Sequence, residues 1–280
     1  MIKAIQVQHT SKNKDAEMER TLESAAKAGF KYVSMGFGST LAFFENDWEY
    51  TVNYIKEHID KNGLKCVQTH LPYYHLLISA EELDEKMETA IKRGIKASAN
   101  LGAKWCVYHP RSAVSKNYDS EASLITNMKV IAGYAEVAKE SGISVALENL
   151  PLFPTMPDSP FYTCKYEDLA RLHDELNHPN ISVCWDFGHA HLTKFDHVKA
   201  LEYMGSRIKC THIHNNLRFF DDHCPPSLGD MDLQAVFGAL AKTGFDGPLT
   251  LEVNYKVDEV LDSYMAHCYD CACMVERIIK

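Results

Sequence analysis

The chain has 280 residues, 46% of them hydrophobic and 24% charged, enough for one large core with no low-complexity tract; a single domain over residues 1–280 is expected. A formal charge of −9 without a basic run argues against a lysine-rich grip on nucleic acid, and no stretch approaches the roughly 18 apolar residues of a spanning helix. The nine scattered cysteines, several within expected strands, read as reduced thiols of a cytoplasmic protein rather than a disulfide framework.

Short runs rich in β-branched, aromatic and cysteine residues alternate with segments whose apolar residues recur every three or four positions. The first strand is expected over Ile2–Val7, without the apolar core of a signal peptide, followed by a helix over Asp15–Ala28 that Gly29 closes. Tyr32–Gly36 leads to a helix carrying Trp48, Val52, Ile55 and Ile59. Lys65–Leu71 leads to one carrying Leu83, Met87, Ile91 and Ile95, and Lys104–His109 to one carrying Leu124, Met128, Ile131 and Ala135. The remaining strands are Ser144–Leu150, Ile181–Asp186, Ile208–His214 and Leu249–Val253. Helices are expected over Tyr166–Leu176, Asp196–Met204, Asp232–Lys242 and from about Val257 to Ile279. The group Cys268, Cys271 and Cys273 falls in that last helix and reads as packing rather than cluster ligation.

Eight strand-then-helix units fit the length of an α/β fold of the (β/α)8 TIM-barrel type. A doubly wound sheet fits less well, because Gln8-His9-Thr10-Ser11 after the first strand has no glycine for a phosphate loop. The proline-bearing stretch Pro151–Lys165, with Pro154, Pro157 and Pro160, reads as a stiff loop able to cover a site.

His70, His109, Glu148, Asp186, His212 and Glu252 stand at the ends of different strands. A barrel brings those ends to one face. Carboxylates with imidazole and no thiolate suit Zn²⁺ or Mn²⁺, with Co²⁺ or Fe²⁺ also compatible, and leave positions for substrate oxygens. His189 follows Asp186 as a ligand or a substrate hydrogen-bonder, His214 reads as a satisfied neighbour of His212, and Asp221-Asp222-His223 sits in a loop closing at Leu228-Gly229-Asp230.

Leu147-Glu148-Asn149, Trp185-Asp186-Phe187-Gly188-His189, His212-Ile213-His214-Asn215-Asn216, Asp221-x-His223 and Leu251-Glu252 together resemble the xylose-isomerase-like TIM-barrel superfamily of sugar and sugar-phosphate isomerases, epimerases and endonuclease IV. The resemblance implies that Glu148, Asp186, His212 and Glu252 hold one divalent metal, and that Glu148 and Glu252 are the acid/base pair. It implies that His189 holds a substrate oxygen. The substrate would be a small sugar, a polyol-derived ketone or a sugar phosphate.

The endonuclease IV branch adds ligands for a trinuclear zinc centre, and His70, His109, His189, Asp221 and His223 match them. A zinc phosphodiesterase acting on abasic DNA is therefore the alternative, and a non-catalytic sugar-binding barrel a second. Against the nuclease stand Asn149-Leu150-Pro151-Leu152-Phe153 where its pattern is glycine-rich, Arg111 where it has glycine, Phe187-Gly188 after Asp186, and a Gly36–Asn46 loop without lysine or arginine. Two departures touch the epimerase pattern: Asn215 in place of an aspartate, and Cys224-Pro225-Pro226-Ser227 in place of a glycine-flanked turn. In the epimerase reading His70, His109, His189, Asp221 and His223 contact substrate. Arg111 and Arg218 are the cations expected for a substrate phosphate or carboxylate, beside Tyr73, Tyr74, Phe153, Phe219 and Phe220. The expected partner is a small carbohydrate, with neither nucleic acid nor membrane, and homo-oligomerisation is left open.

Overall fold

The computed structural model describes residues 1–9, 15–37, 43, 47–73, 81–113, 118–156 and 160–280, the side chains of 81–84 excepted. Eight parallel strands, β1 Lys3–Gln8, β2 Tyr32–Gly36, β3 Lys65–His70, β4 Trp105–Tyr108, β5 Ser144–Glu148, β6 Ile181–Asp186, β7 Ile208–His212 and β8 Leu249–Leu251, form one sheet. Its order is β7-β6-β5-β4-β3-β2-β1-β8. Backbone bonds from Ile213 N to Thr250 O (2.8 Å) and Glu252 N to Ile213 O (3.1 Å) join its two edges. The fold is a nearly closed (β/α)8 barrel.

Around it lie α1 Asp15–Ala28, α2 Trp48–Lys61, α3 Glu81–Asn100, α4 Ser120–Ser141, α5 Tyr166–Leu176, α6 Phe187–Thr193, α7 His197–Met204, α8 Leu233–Lys242 and α9 Leu261–Ile279. Among the described residues, no helix is long and apolar enough to cross a membrane. The caps follow the sequence: Asp119 accepts from Ala122 N at 2.9 Å to start α4, and Gly142, at φ 72°, ends it. The final helix starts at Leu261 rather than near Val257, because Asp258 accepts from Val260 N (3.1 Å) and holds the preceding residues in a turn.

Strand parity divides the core. Ile5, Cys106, Leu147, Val183 and Trp185 face the helices, whereas Ala4, Val107, Ala146, Cys184 and Cys210 pack with Val67 and Trp105 inside the barrel. Two residues beyond those inward positions, at the C-terminal mouth, come Gln6, His109, Glu148, Asp186 and His212. The period of two carries each side chain to the same interior face.

Several strands end earlier than expected. β4 stops at Tyr108, β5 at Glu148, β7 at His212 and β8 at Leu251, the points where the chain turns out of the ladder to present the mouth residues. The helix α6 was not legible beforehand. Its seven residues include Gly188 and two histidines and are too short to show a period; Asp186 starts it by accepting from His189 N at 2.6 Å.

Candidate metal centre

Glu148 is fully buried at the end of β5 and shares its two oxygens between two groups of side chains. Oε1 faces His212 Nδ1 (2.8 Å), and Oε2 faces His109 Nε2 (2.9 Å) and His70 Nε2 (3.4 Å). On the first side His212 Nδ1 also meets Glu252 Oε2 (3.1 Å), with Asp186 Oδ2 at 3.9 Å. A separate cluster lies beyond α6, where Asp221 Oδ2 meets His189 Nε2 (3.3 Å) and His223 Nε2 (3.2 Å). His214 lies between the two clusters, bonding Asp186 at 3.1 Å and stacking on His223 with centroids 3.8 Å apart.

Backbone acceptors fix which nitrogens are free. His70 Nδ1 pairs with Leu71 O, His189 Nδ1 with Asn149 O and His223 Nδ1 with Glu252 O, each at 2.9 Å. A carbonyl only accepts, so each Nδ1 carries the proton and each Nε2 presents a lone pair to the cluster. Donors on one zinc, at about 2.0–2.1 Å from it, lie roughly 3 Å from each other. In the sets Glu148/Asp186/His212/Glu252, His70/His109/Glu148 and His189/His214/Asp221/His223 the donor atoms lie within 4.8 Å of one another, wider than that spacing but within reach of side-chain shifts that would close on an ion. The residues fit divalent metal.

The electrostatics agree. Burial would raise the carboxyl of Glu148, but His212 and His109 hold it well below its ordinary range. Asp186 and Asp221 are likewise held low against burial, by His189 and His214 and by His189 and His223 respectively. Burial disfavours the His212 cation, yet Glu252 and Glu148 push it up to about 10; His223 rises to about 9 through Asp221. His109 is lowered, because burial outweighs Glu148. Without metal, protons hold these negative clusters together.

Three residues without an expected role support the centre. Gln6 Nε2 donates to Glu252 Oε1 while its own Oε1 accepts from Ser34 (3.2 Å), which leaves Glu252 Oε2 for His212. Asn149 clasps the end of β6, accepting from Asp186 N and donating to Asp186 O, both at 2.8 Å. Asn216 donates to Gly188 O (2.9 Å) and anchors α6. Gln6 was detectable in principle, as the inward position two beyond Ala4; the two asparagines carry no periodic signal.

A cavity of about 280 Å³ opens over the clusters, lined by the polar residues Gln6, His70, His109, His189, Asp221, His223 and Glu252 and by Leu150, Pro151, Phe153, Phe161 and Tyr73, the last packed on His70 and His109. A lobe of about 540 Å³ continues past Glu252 towards Glu17, Thr21, Asn254 and Lys256. The Pro151–Lys165 stretch does border the site. It is tied down by Leu152 N to Thr193 Oγ1 (3.0 Å) and Tyr162 N to Ser112 Oγ (2.8 Å), and brings Phe153 and Phe161 edge to face.

Two expected substrate contacts are placed elsewhere. Arg111 turns into the helix layer towards Tyr134 (3.2 Å) and Glu88 (3.5 Å), and Arg218 faces His191 (3.3 Å) and Asp230 (3.8 Å) behind α6. Neither lines the cavity. Phe219 and Phe220 are exposed. Asn215 bonds Pro226 O (3.0 Å) and accepts from Asn216 N (2.9 Å), shaping its own loop rather than the centre. Tyr74, Pro157 and most of the Gly36–Asn46 loop lie outside the described residues.

A barrel whose strand ends converge on carboxylate and imidazole clusters under an open cavity defines a TIM barrel with candidate metal-binding clusters at its C-terminal mouth. A family model described as xylose isomerase-like TIM barrel matches residues 22–267. The chain belongs to that family. It is 25% identical over 226 residues to the Methanocaldococcus jannaschii protein MJ1311, covering 76% of this chain and 74% of the other. To a ketose 3-epimerase of Arthrobacter globiformis it is 27% identical over 59% of this chain and 54% of that one. Among solved structures, a D-psicose 3-epimerase from Clostridium cellulolyticum H10 superposes with a TM-score of 0.76 at 17% identity, covering 98% of this chain and 99% of that one. A D-tagatose 3-epimerase-like protein superposes at 0.74 with 20% identity over 99% of each chain. At that identity the likeness speaks for the fold.

Proposed function

We infer that the protein is a divalent-metal-dependent isomerase or epimerase of a small sugar, polyol-derived ketone or sugar phosphate, working by proton transfer. The observation that carries this is the pair of carboxylates, Glu148 and Glu252, meeting on one imidazole nitrogen of His212 at 2.8 and 3.1 Å beneath the open cavity. Two carboxylates held by one group but reaching from different strand ends are suited to take a proton from the carbon beside a carbonyl and to return one. Bound by Glu148, Asp186, His212 and Glu252, a divalent cation, zinc or manganese in the first instance, supplies Lewis acidity that lowers the cost of the negative charge developing on the sugar oxygens. Gln6 keeps one Glu252 oxygen occupied, so the other stays directed inward. His109, His189 and His223 border the cavity where sugar hydroxyls would lie, and Phe153 and Phe161 offer an apolar wall that excludes water.

The clusters His70/His109/Glu148 and His189/His214/Asp221/His223 favour a second reading, a multinuclear zinc phosphodiesterase. Charge weighs against it: Lys256 is the only lysine or arginine among the described residues lining either lobe, so a phosphate backbone meets mostly carboxylate and imidazole. The deciding experiment combines metal content per chain with exchange of the substrate α-proton into D2O, followed by proton NMR over a panel of ketoses and ketose phosphates. Exchange that is lost in Glu148→Gln and Glu252→Gln supports the isomerase. Two or three zinc ions per chain, no exchange, and cleavage of abasic DNA would replace it with the nuclease; metal binding with neither activity would leave a sugar-binding barrel.

A further inference from the structure

The lobe beyond Glu252 is the larger of the two spaces at the mouth, about 540 Å³ against about 280 Å³ over the metal clusters. Gln6, Gln8, Tyr73, His223 and Glu252 line both, so the two meet at the metal centre. Pockets for small ligands run from about 300 Å³ upwards, so a single monosaccharide over the clusters leaves the lobe unfilled. Bulk water would then reach the charge developing beside Glu252, which the apolar wall of Phe153 and Phe161 excludes from the other cavity.

The walls of the lobe are held in place. Past β8 the chain runs on through Asn254, whose N donates to His223 O (2.8 Å), whose Nδ2 donates to Asp222 O (3.1 Å) and whose O accepts from the Tyr264 hydroxyl (2.7 Å). On β1, Gln8 repeats the inward parity of Ala4 and Gln6 and borders both spaces. Gly36 makes room for it: a Cβ there would lie 2.2 Å from Gln8 Oε1, although Gly36 is not among the residues with positive φ. The glycine seats Gln8 across the end of β2, at the junction between the metal centre and the lobe.

The chemistry of the lobe says what fills it. Beyond the metal-site residues it offers amides on Gln8 and Asn254 and one charge of each sign, Glu17 and Lys256. Among the described residues, the side-chain amide of Gln8 and the ammonium of Lys256 have no hydrogen-bond partner. A phosphate dianion would meet Glu17 and Glu252 as well as Lys256, whereas a neutral group rich in hydroxyls can give to carboxylates and accept from amide and ammonium at once. Tyr73, 41% exposed, adds an aromatic surface for the apolar side of a sugar ring. Resting on the isomerase or epimerase reading above, we propose that the substrate is a glycosylated ketose, with the ketose over the metal centre and a second sugar unit in the lobe, held by Gln8, Asn254 and Lys256.

Binding can be read directly, by calorimetric titration of the metal-loaded, full-length protein with D-fructose, its 1-, 4- and 6-O-glucosyl derivatives and its 6-phosphate. At least one glucosyl derivative is expected to bind about tenfold more tightly than fructose, the gain of one or two hydrogen bonds. Lys256→Ala should cut that preference about fivefold. Val257→Trp, a larger side chain at an exposed position lining the lobe, should abolish it. Four results would each overturn the proposal: fructose binding as tightly as every glucosyl derivative, the 6-phosphate binding most tightly of all, no sugar binding, or a preference unchanged in both variants, which places the second unit elsewhere. The isomerase reading fails separately, by absent α-proton exchange, which the titration does not measure.

Discussion

Gly188 offers a sharp test of how the centre is packed. A Cβ built there would lie 1.9 Å from His214 Cε1, 2.1 Å from Nδ1 and 2.5 Å from Nε2. Ordinary contact is about 3.5–4.0 Å, so Gly188→Ala requires the imidazole to retreat by roughly 1.5–2 Å. The ring has little slack, since it is fully buried, stacked on His223 and bonded to Asp186. Overpacking costs about 1–3 kcal/mol, and the bond to the Asp186 carboxylate about 1.5–3 more if it breaks. Alanine is otherwise the better helix former by about 1 kcal/mol, so without the clash the change would stabilise α6. We expect Gly188→Ala to lose about 3 kcal/mol in urea denaturation of the chelated protein. Adding it to His214→Ala should cost nothing further, because the ring that clashed is gone, giving a coupling of about 3 kcal/mol. A neutral or stabilising Gly188→Ala, or effects additive to within about 0.5 kcal/mol, would refute the packing argument.

Other perturbations reach the remaining contacts. Gln6→Leu removes the donor to Glu252 Oε1 and should weaken metal binding by about 10- to 100-fold, read by competition with a chromophoric chelator; unchanged affinity would show that Glu252 is held by other means. Asn149→Ala removes one hydrogen bond from each backbone group of buried Asp186, at about 0.5–1.5 kcal/mol each, and should lower the denaturation midpoint. The pH dependence has a defined sign. His212 is raised in the folded, metal-free protein to about 10, so its contribution to stability is complete below its unfolded value near 6.5 and falls away as the pH rises to about 10. Thermal melts of chelated protein should show this alkaline loss, with a shallower slope in His212→Gln; parallel slopes would count against the His212–carboxylate cluster. Metal must displace the same proton, so its apparent affinity should climb through that window, with proton release detectable by calorimetry in buffers of different ionisation enthalpy.

The eight strands and most helices were legible because each is a local period: two for inward and outward faces, three to four for helices, punctuated by Gly29, Gly63, Gly102 and Gly142. His70, His109, Glu148, Asp186, His212 and Glu252 could be grouped because barrel geometry turns strand ends into neighbours, and the family resemblance then singled out Glu148, Asp186, His212 and Glu252 among them. What sequence could not supply was direction. Arg111 and Arg218 follow strand ends as closely as the metal-site residues do, yet one turns into the helix layer and the other behind α6, because beyond the last ladder bond no parity constrains a side chain. The same holds for α6, too short to have a period, and for Gln6 and Asn149, whose roles exist only across strands. The chain by itself determined a barrel with a carboxylate and imidazole mouth. Only the tertiary contacts decided that Glu148 would serve two clusters at once, that three histidines would free Nε2 by giving Nδ1 to the backbone, and that both arginines would leave the cavity.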